Sequence, residues 1–153
     1  MRRHMIAAML ILAGGCTPSA TQPCQPDNTF ADPQFGLEAR ARTADPIEVW
    51  ALFFNTFPMR PAGEPIEIPV NTELKIVWRV TGEGKFTTEA VGPEGVIIEP
   101  DWGPDIHGGS NWQRPGDEWG TGWTFPEVGC WTLVVHRGDS EAVMSVNIHA
   151  GTR

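Results

Sequence analysis

Gly129-Cys130-Trp131-Thr132-Leu133-Val134-Val135-His136-Arg137, a Gly138-Asp139 turn, and Glu141-Ala142-Val143-Met144-Ser145-Val146-Asn147-Ile148-His149 decide the fold. In the first run Trp131, Leu133 and Val135 share one face. In the second, Ala142, Met144, Val146 and Ile148 point one way and Val143, Ser145, Asn147 and His149 the other. Side chains alternate between faces in an extended chain, so each run predicts a strand with one buried side. Two such runs around a Gly-containing turn predict an antiparallel hairpin. Pro126-Glu127-Val128-Gly129 is the turn that leads into it.

The same signals recur toward the N-terminus. Gly122-Trp123-Thr124-Phe125 has strand character, and Leu74, Ile76, Trp78 and Val80 alternate with Lys75, Val77, Arg79 and Thr81. That alternation predicts one buried face and one mostly wet one. The turns Thr81-Gly82-Glu83-Gly84 and Gly92-Pro93-Glu94-Gly95 lead into Lys85–Val91 and Val96–Glu99, which predicts a three-stranded antiparallel meander. Ile47–Phe54 is apolar on both faces, as in a central buried strand, and Ile66–Val70 is a further short segment beyond a Pro-rich turn region. Seven or so short strands separated by turn signals predict an all-β sandwich of about 100 residues. The pattern Pro126-x-x-Gly129-x-Trp131-x-Leu133-x-Val135 resembles the closing hairpin of immunoglobulin-like domains, which often carry Gly-x-Tyr where Gly129 and Trp131 stand. The resemblance implies a single immunoglobulin-like antiparallel β-sandwich over residues 47–150. It implies no function, because unrelated modules share that hairpin. Lys75–His149, with Trp78-Arg79-Val80-Thr81-Gly82 and Gly129-Cys130-Trp131, also resembles small secreted bacterial domains of uncharacterised function.

Ahead of the sandwich the composition changes twice. Arg2 and Arg3 precede an apolar run from Met5 to Ala13 that ends in small residues, the pattern of a signal peptide. That run is shorter than the ~20 apolar residues a membrane-spanning helix needs. Leu12-Ala13-Gly14-Gly15-Cys16 resembles the lipobox of bacterial lipoproteins, departing from it at Ala13, where Leu is usual. The resemblance implies cleavage of residues 1–15 and a lipidated Cys16 bearing acyl chains such as palmitate. At ~0.8 kcal/mol per buried CH₂, two or more chains hold a protein to a bilayer stably. The alternative is an ordinary secretory signal with a cysteine near its end. A polar Thr17 favours the outer membrane in a two-membrane cell by the same resemblance; otherwise the anchor lies in the cell membrane. Residues 16–46, punctuated by Pro18, Pro23, Pro26, Pro33 and Pro46, read as the lipidated N-terminus and a tether. Leu37–Ala44 has helix propensity for no more than a turn or two.

Once Cys16 is assigned to lipid, Cys24 and Cys130 remain as an even pair in an oxidising compartment, either bridged or left as two thiols. Strand parity turns Cys130 away from the face of Trp131, toward a tether packed along the outside of the sheet. The formal charge of −8 becomes −10 without Arg2 and Arg3, and the only lysines are Lys75 and Lys85. This balance argues against nucleic acid as a partner and against direct adhesion to anionic headgroups.

Residues 101–119 are the least uniform part of the chain: a long stretch, rich in Gly, Pro and Trp, with no period. Trp102, His107, Trp112, Arg114, Asp117, Glu118 and Trp119 form a candidate binding surface there. Indoles and an arginine are common anchors of recognition surfaces, which suits a cell-wall glycan or an envelope protein. The competing expectation is that the three indoles act as lids on the core while the acids pair with Arg114 or cap turns. A different class would use Asp101, Asp105, His107, Asp117 and Glu118 as ligands in a Ca²⁺-stabilised module or a small metal-dependent enzyme, although no EF-hand or zinc spacing is present. His107-Gly108-Gly109 lacks the Gly-x-Ser-x-Gly partner motif that a hydrolase needs. No catalytic residue or cofactor is expected, and the reading is a non-catalytic binding or structural module.

Overall fold

The structure, a computed structural model, describes residue 24 and residues 28–32, 36–54 and 66–151. The expected signal peptide at 1–15 and the lipid-bearing Cys16 lie outside the described residues, as does the Pro-rich turn region 58–65.

Among the described residues eleven strands form two sheets. They are β1 (Asn28–Asp32), β2 (Gly36–Arg40), β3 (Val49–Phe53), β4 (Ile66–Pro69), β5 (Glu73–Val80), β6 (Phe86–Val91), β7 (Ile97–Ile98), β8 (Trp102–His107), β9 (Asp117–Thr124), β10 (Gly129–Arg137) and β11 (Ser140–His149). One sheet runs β1-β2-β3-β5-β9-β8, the other β4-β11-β10-β6-β7. Every pairing is antiparallel except that of β4 with β11. By order, β3, β5, β9 and β8 take the places of immunoglobulin strands A, B, E and D, and β6, β10 and β11 those of C, F and G. The fold is the all-β, immunoglobulin-like sandwich expected.

Between the sheets lies a continuous apolar core. Trp131, Leu133 and Val135 from β10 and Ala142, Met144, Val146 and Ile148 from β11 meet Leu74, Ile76 and Trp78 from β5. Trp123 and Phe125 stack at 6.0 Å, and Trp131 meets Phe125 edge-on at 5.3 Å. The Trp78 and Trp123 indoles both donate to the Thr121 hydroxyl at 2.8 Å, so neither buried N–H lacks an acceptor.

Several local expectations differ from the structure, each for a physical reason. β5, β6 and β7 are not a meander: β5 belongs to the first sheet and β6 to the second, where it pairs with β10. The chain crosses between layers at the turn after Val80, as a Greek key requires. Gly36–Arg40, inside the stretch read as tether, is a strand rather than a helical turn. Leu37 and Ala39 enter the core while Glu38 and Arg40 face outward, so the segment has the two-residue period of a sheet. Residues 41–46 then stitch the two sheets together. Arg42 exchanges backbone hydrogen bonds with Val143 at 2.8 Å, and the Thr43 hydroxyl donates to the Glu141 carbonyl at 2.6 Å. Cys24 and Cys130 are joined by a disulfide, Cα–Cα 5.1 Å, with Cys130 on the outward face of β10. Closing a loop of that length stabilises a fold by ~4–5 kcal/mol in the chain-entropy model.

Candidate functional site

Residues 101–119 are an edge hairpin, β8 and β9, with only 108–116 as loop. Along β9, Trp119, Thr121 and Trp123 are buried inward while Gly120 and Gly122 face outward. The missing side chains are replaced from β8. A Cβ on Gly122 would lie 1.8 Å from the Trp102 indole nitrogen, and one on Gly120 would lie 2.9 Å from His107 Nε2. The two rings therefore rest flat on the backbone of the neighbouring strand, which only glycine permits.

The outer face of the six-stranded sheet is laid out in transverse rows by its register. Arg40, Trp50, Arg79, Glu118 and His107 stand opposite one another in one row. Glu38, Leu52, Val77 and Gly120 form the next. Lys75, Gly122 and Trp102 lie in a third, and the Phe54 ring lies under the Lys75 ammonium, 5.4 Å from its centroid.

The 108–116 loop folds over these rows and is fixed by two clamps. At the first, Glu38 is 2 % exposed and accepts from the Trp112 indole at 2.8 Å and from Arg114 Nε at 3.1 Å. Arg114 Nη2 closes a second contact to the same carboxylate, and its guanidinium lies 4.1 Å over the Trp50 ring. At the second, Glu118 is 4 % exposed, is ion-paired with Arg79 Nε at 2.8 Å and accepts from the Ser110 hydroxyl. Arg79 also donates to the Gly116 carbonyl at 3.0 Å and to Ser110 Oγ at 3.2 Å. Buried carboxylates of this kind persist only when paired and hydrogen-bonded, and both are. Between the clamps, Trp112 packs on Leu52 and Val77 with Trp50 at the margin, a second small apolar cluster separate from the main core. Val77, expected on a wet face, is buried for this reason.

Beside Trp112 the loop leaves a hollow of about 230 Å3. Leu52 and Val77 line its base and Phe54 and Lys75 one side, with His107, Ser110, Asn111, Trp112 and Glu118 opposite. A larger depression of about 370 Å3 lies against residues 42–45, but Thr43, Asp45 and Glu141 there are hydrogen-bonded to one another.

The residues singled out from the sequence are distributed among four environments. Trp112, His107 and Glu118 meet at the hollow, and Arg114 holds its roof. Trp119 is in the main core, stacked on Phe86 at 4.6 Å, and Trp102 lies half-buried on Gly122. Asp117 pairs with Arg137 at 2.6 Å, and the Arg137 guanidinium lies 4.5 Å over the Trp119 ring. The three indoles thus do not make one aromatic platform. Neither do they close an open end of the sandwich: one is core, one covers a sheet face and one fills a glycine groove. The acids pair with Arg79 and Arg137, while Arg114 takes Glu38. Among the described residues no three His, Cys, Asp or Glu side chains gather into a metal-holding group. Sequence reading missed Lys75, Leu52, Val77, Phe54, Ser110 and Asn111. The available signal was the pair of apolar residues, Leu52 and Val77, on outward strand positions that needed a cover.

No protein-family model matches the chain, and no curated protein matches it.

Proposed function

We propose that this protein is a lipid-anchored, non-catalytic binding module of the cell envelope, and that it takes its ligand in the hollow beside Trp112. The observation that carries the reading is a loop held by two buried Arg–Glu clamps that still leaves apolar side chains lining an open space. The loop already buries Leu52, Val77 and Trp112, so covering the sheet does not account for the space that remains beside them, where the Phe54 ring is still 36 % exposed. Concave sites with an apolar base and a few convergent polar groups are the usual form of small-ligand pockets. The anchor rests on the resemblance of Leu12-Ala13-Gly14-Gly15-Cys16 to a lipobox, which supports a domain held outside the cytoplasm on the cell or outer membrane. The ligand is expected to be a group displayed by a cell-wall glycan or by an envelope protein.

Two measurements test this. Titrating the purified protein with cell-wall glycan fragments, and separately with Ca²⁺, Zn²⁺ and EDTA, should give a saturable change in tryptophan emission with an organic ligand and none with metal. A metal response would instead support a Ca²⁺- or Zn²⁺-dependent module. Cys16→Ser should move the protein from the membrane to the soluble fraction and abolish palmitate labelling; retention of label would remove the anchor from the proposal.

A further inference from the structure

Building on the reading of the hollow as a ligand site, we propose that its ligand is a small monoanionic amphiphile, with a carboxylate on the Lys75 ammonium and an apolar body against the exposed Phe54 ring, above the buried floor of Leu52 and Val77. The first argument is charge. The chain carries −8 and has two lysines, and one of them lines this hollow. Among the described residues Lys75 makes no ion pair; its ammonium lies 5.4 Å from the Phe54 ring centroid. The acid at the site, Glu118, is already paired with Arg79 and accepts from Ser110. The lining is therefore locally cationic by one charge on an acidic domain, which concentrates an anion there. A single cation beside a buried carboxylate suits one negative charge; a phosphate monoester would bring its second charge toward Glu118.

The second argument is surface chemistry and size. Leu52, Val77, Phe54 and the Trp112 ring offer an apolar body nothing to hydrogen-bond, so a fully hydroxylated ring would lose water contacts against them. At about 30 Å3 per water, the hollow of about 230 Å3 holds roughly seven or eight water-sized units. A six-carbon carboxylate fits that space. Asn111 and His107 at the wall can satisfy the carboxylate oxygen that Lys75 leaves free.

The test is an NMR titration of the full-length mature protein with hexanoate, hexan-1-ol and hexylammonium, following the backbone amides of Leu52, Lys75, Val77 and Trp112. Hexanoate should shift these amides saturably, with hexan-1-ol and hexylammonium at least tenfold weaker. Lys75→Gln should reduce hexanoate to the affinity of hexan-1-ol, whereas Lys85→Gln, on the other sheet, should bind as wild type. Equal binding of hexanoate and hexan-1-ol, or full hexanoate affinity in Lys75→Gln, overturns the proposal. If a glycan fragment shifts the same amides while hexanoate does not, the anion proposal fails and the binding site stands. If no ligand shifts them, both fail.

Discussion

The two faces of the six-stranded sheet bury comparable side chains by opposite means. Inward, Leu74, Ile76, Trp78, Trp119 and Trp123 meet a second sheet, and the Trp78 and Trp123 N–H groups are met by Thr121. Outward, Leu52 and Val77 meet a loop, which is held in place by carboxylates rather than by apolar area. The inner face is continuous and tolerates no space; the outer face is interrupted by charge and keeps a hollow. A layer of sheet supplies enough apolar surface to fix itself, whereas nine loop residues do not, so directional ion pairs set the loop's position. That is how one face of the sheet keeps open space beside its cover.

Predictions that would break or sharpen this contrast can be ranked by size. Trp123→Ala strikes the inner face and should cost about 3–5 kcal/mol, seen as a lowered urea midpoint for the whole domain. A loss confined to one region would show that the core is not one cooperative unit. Glu38→Ala strikes the outer face. It leaves Arg114 and the Trp112 indole without their acceptor and should cost about 1–3 kcal/mol, discounted because Arg114 is 32 % exposed. Its signature is local: faster amide exchange at 108–116 with β10 and β11 still protected. Equal exchange gains in both sheets would mean the loop is part of the global fold. Smallest, Gly122→Ala should displace Trp102 from its groove for about 1 kcal/mol, raising indole exposure to acrylamide quenching without loss of the hairpin.

The sequence made the inner architecture legible because alternation records it directly. Trp131, Leu133 and Val135 could face one way only, and β10 and β11 pair as their parity required. β9 was hidden by the same rule. Its inward Trp119, Thr121 and Trp123 alternate with Gly120 and Gly122, and outward glycine looks like a turn until the covering Trp102 and His107 are known. β2 was read through the prolines around it. Glu38 lies 76 residues from Arg114, a pairing that no local pattern encodes. Leu52 and Val77 signalled that something covers them, but composition alone could not say which loop.

The Cys24–Cys130 bridge also gives the sandwich a bottom and a top. Cys130 is the second residue of β10, and Arg137 at the far end reaches Asp117, where the 108–116 loop rejoins the sheet. Seven residues of strand at about 3.3 Å each put the loop roughly 23 Å from the bridge along the strand axis. On the lipid-anchored reading, the eight residues from Cys16 to Cys24 reach at most about 29 Å when fully extended. On that reading the bridge can stand no more than about 29 Å from the bilayer, and the end carrying the loop can reach roughly 23 Å beyond it.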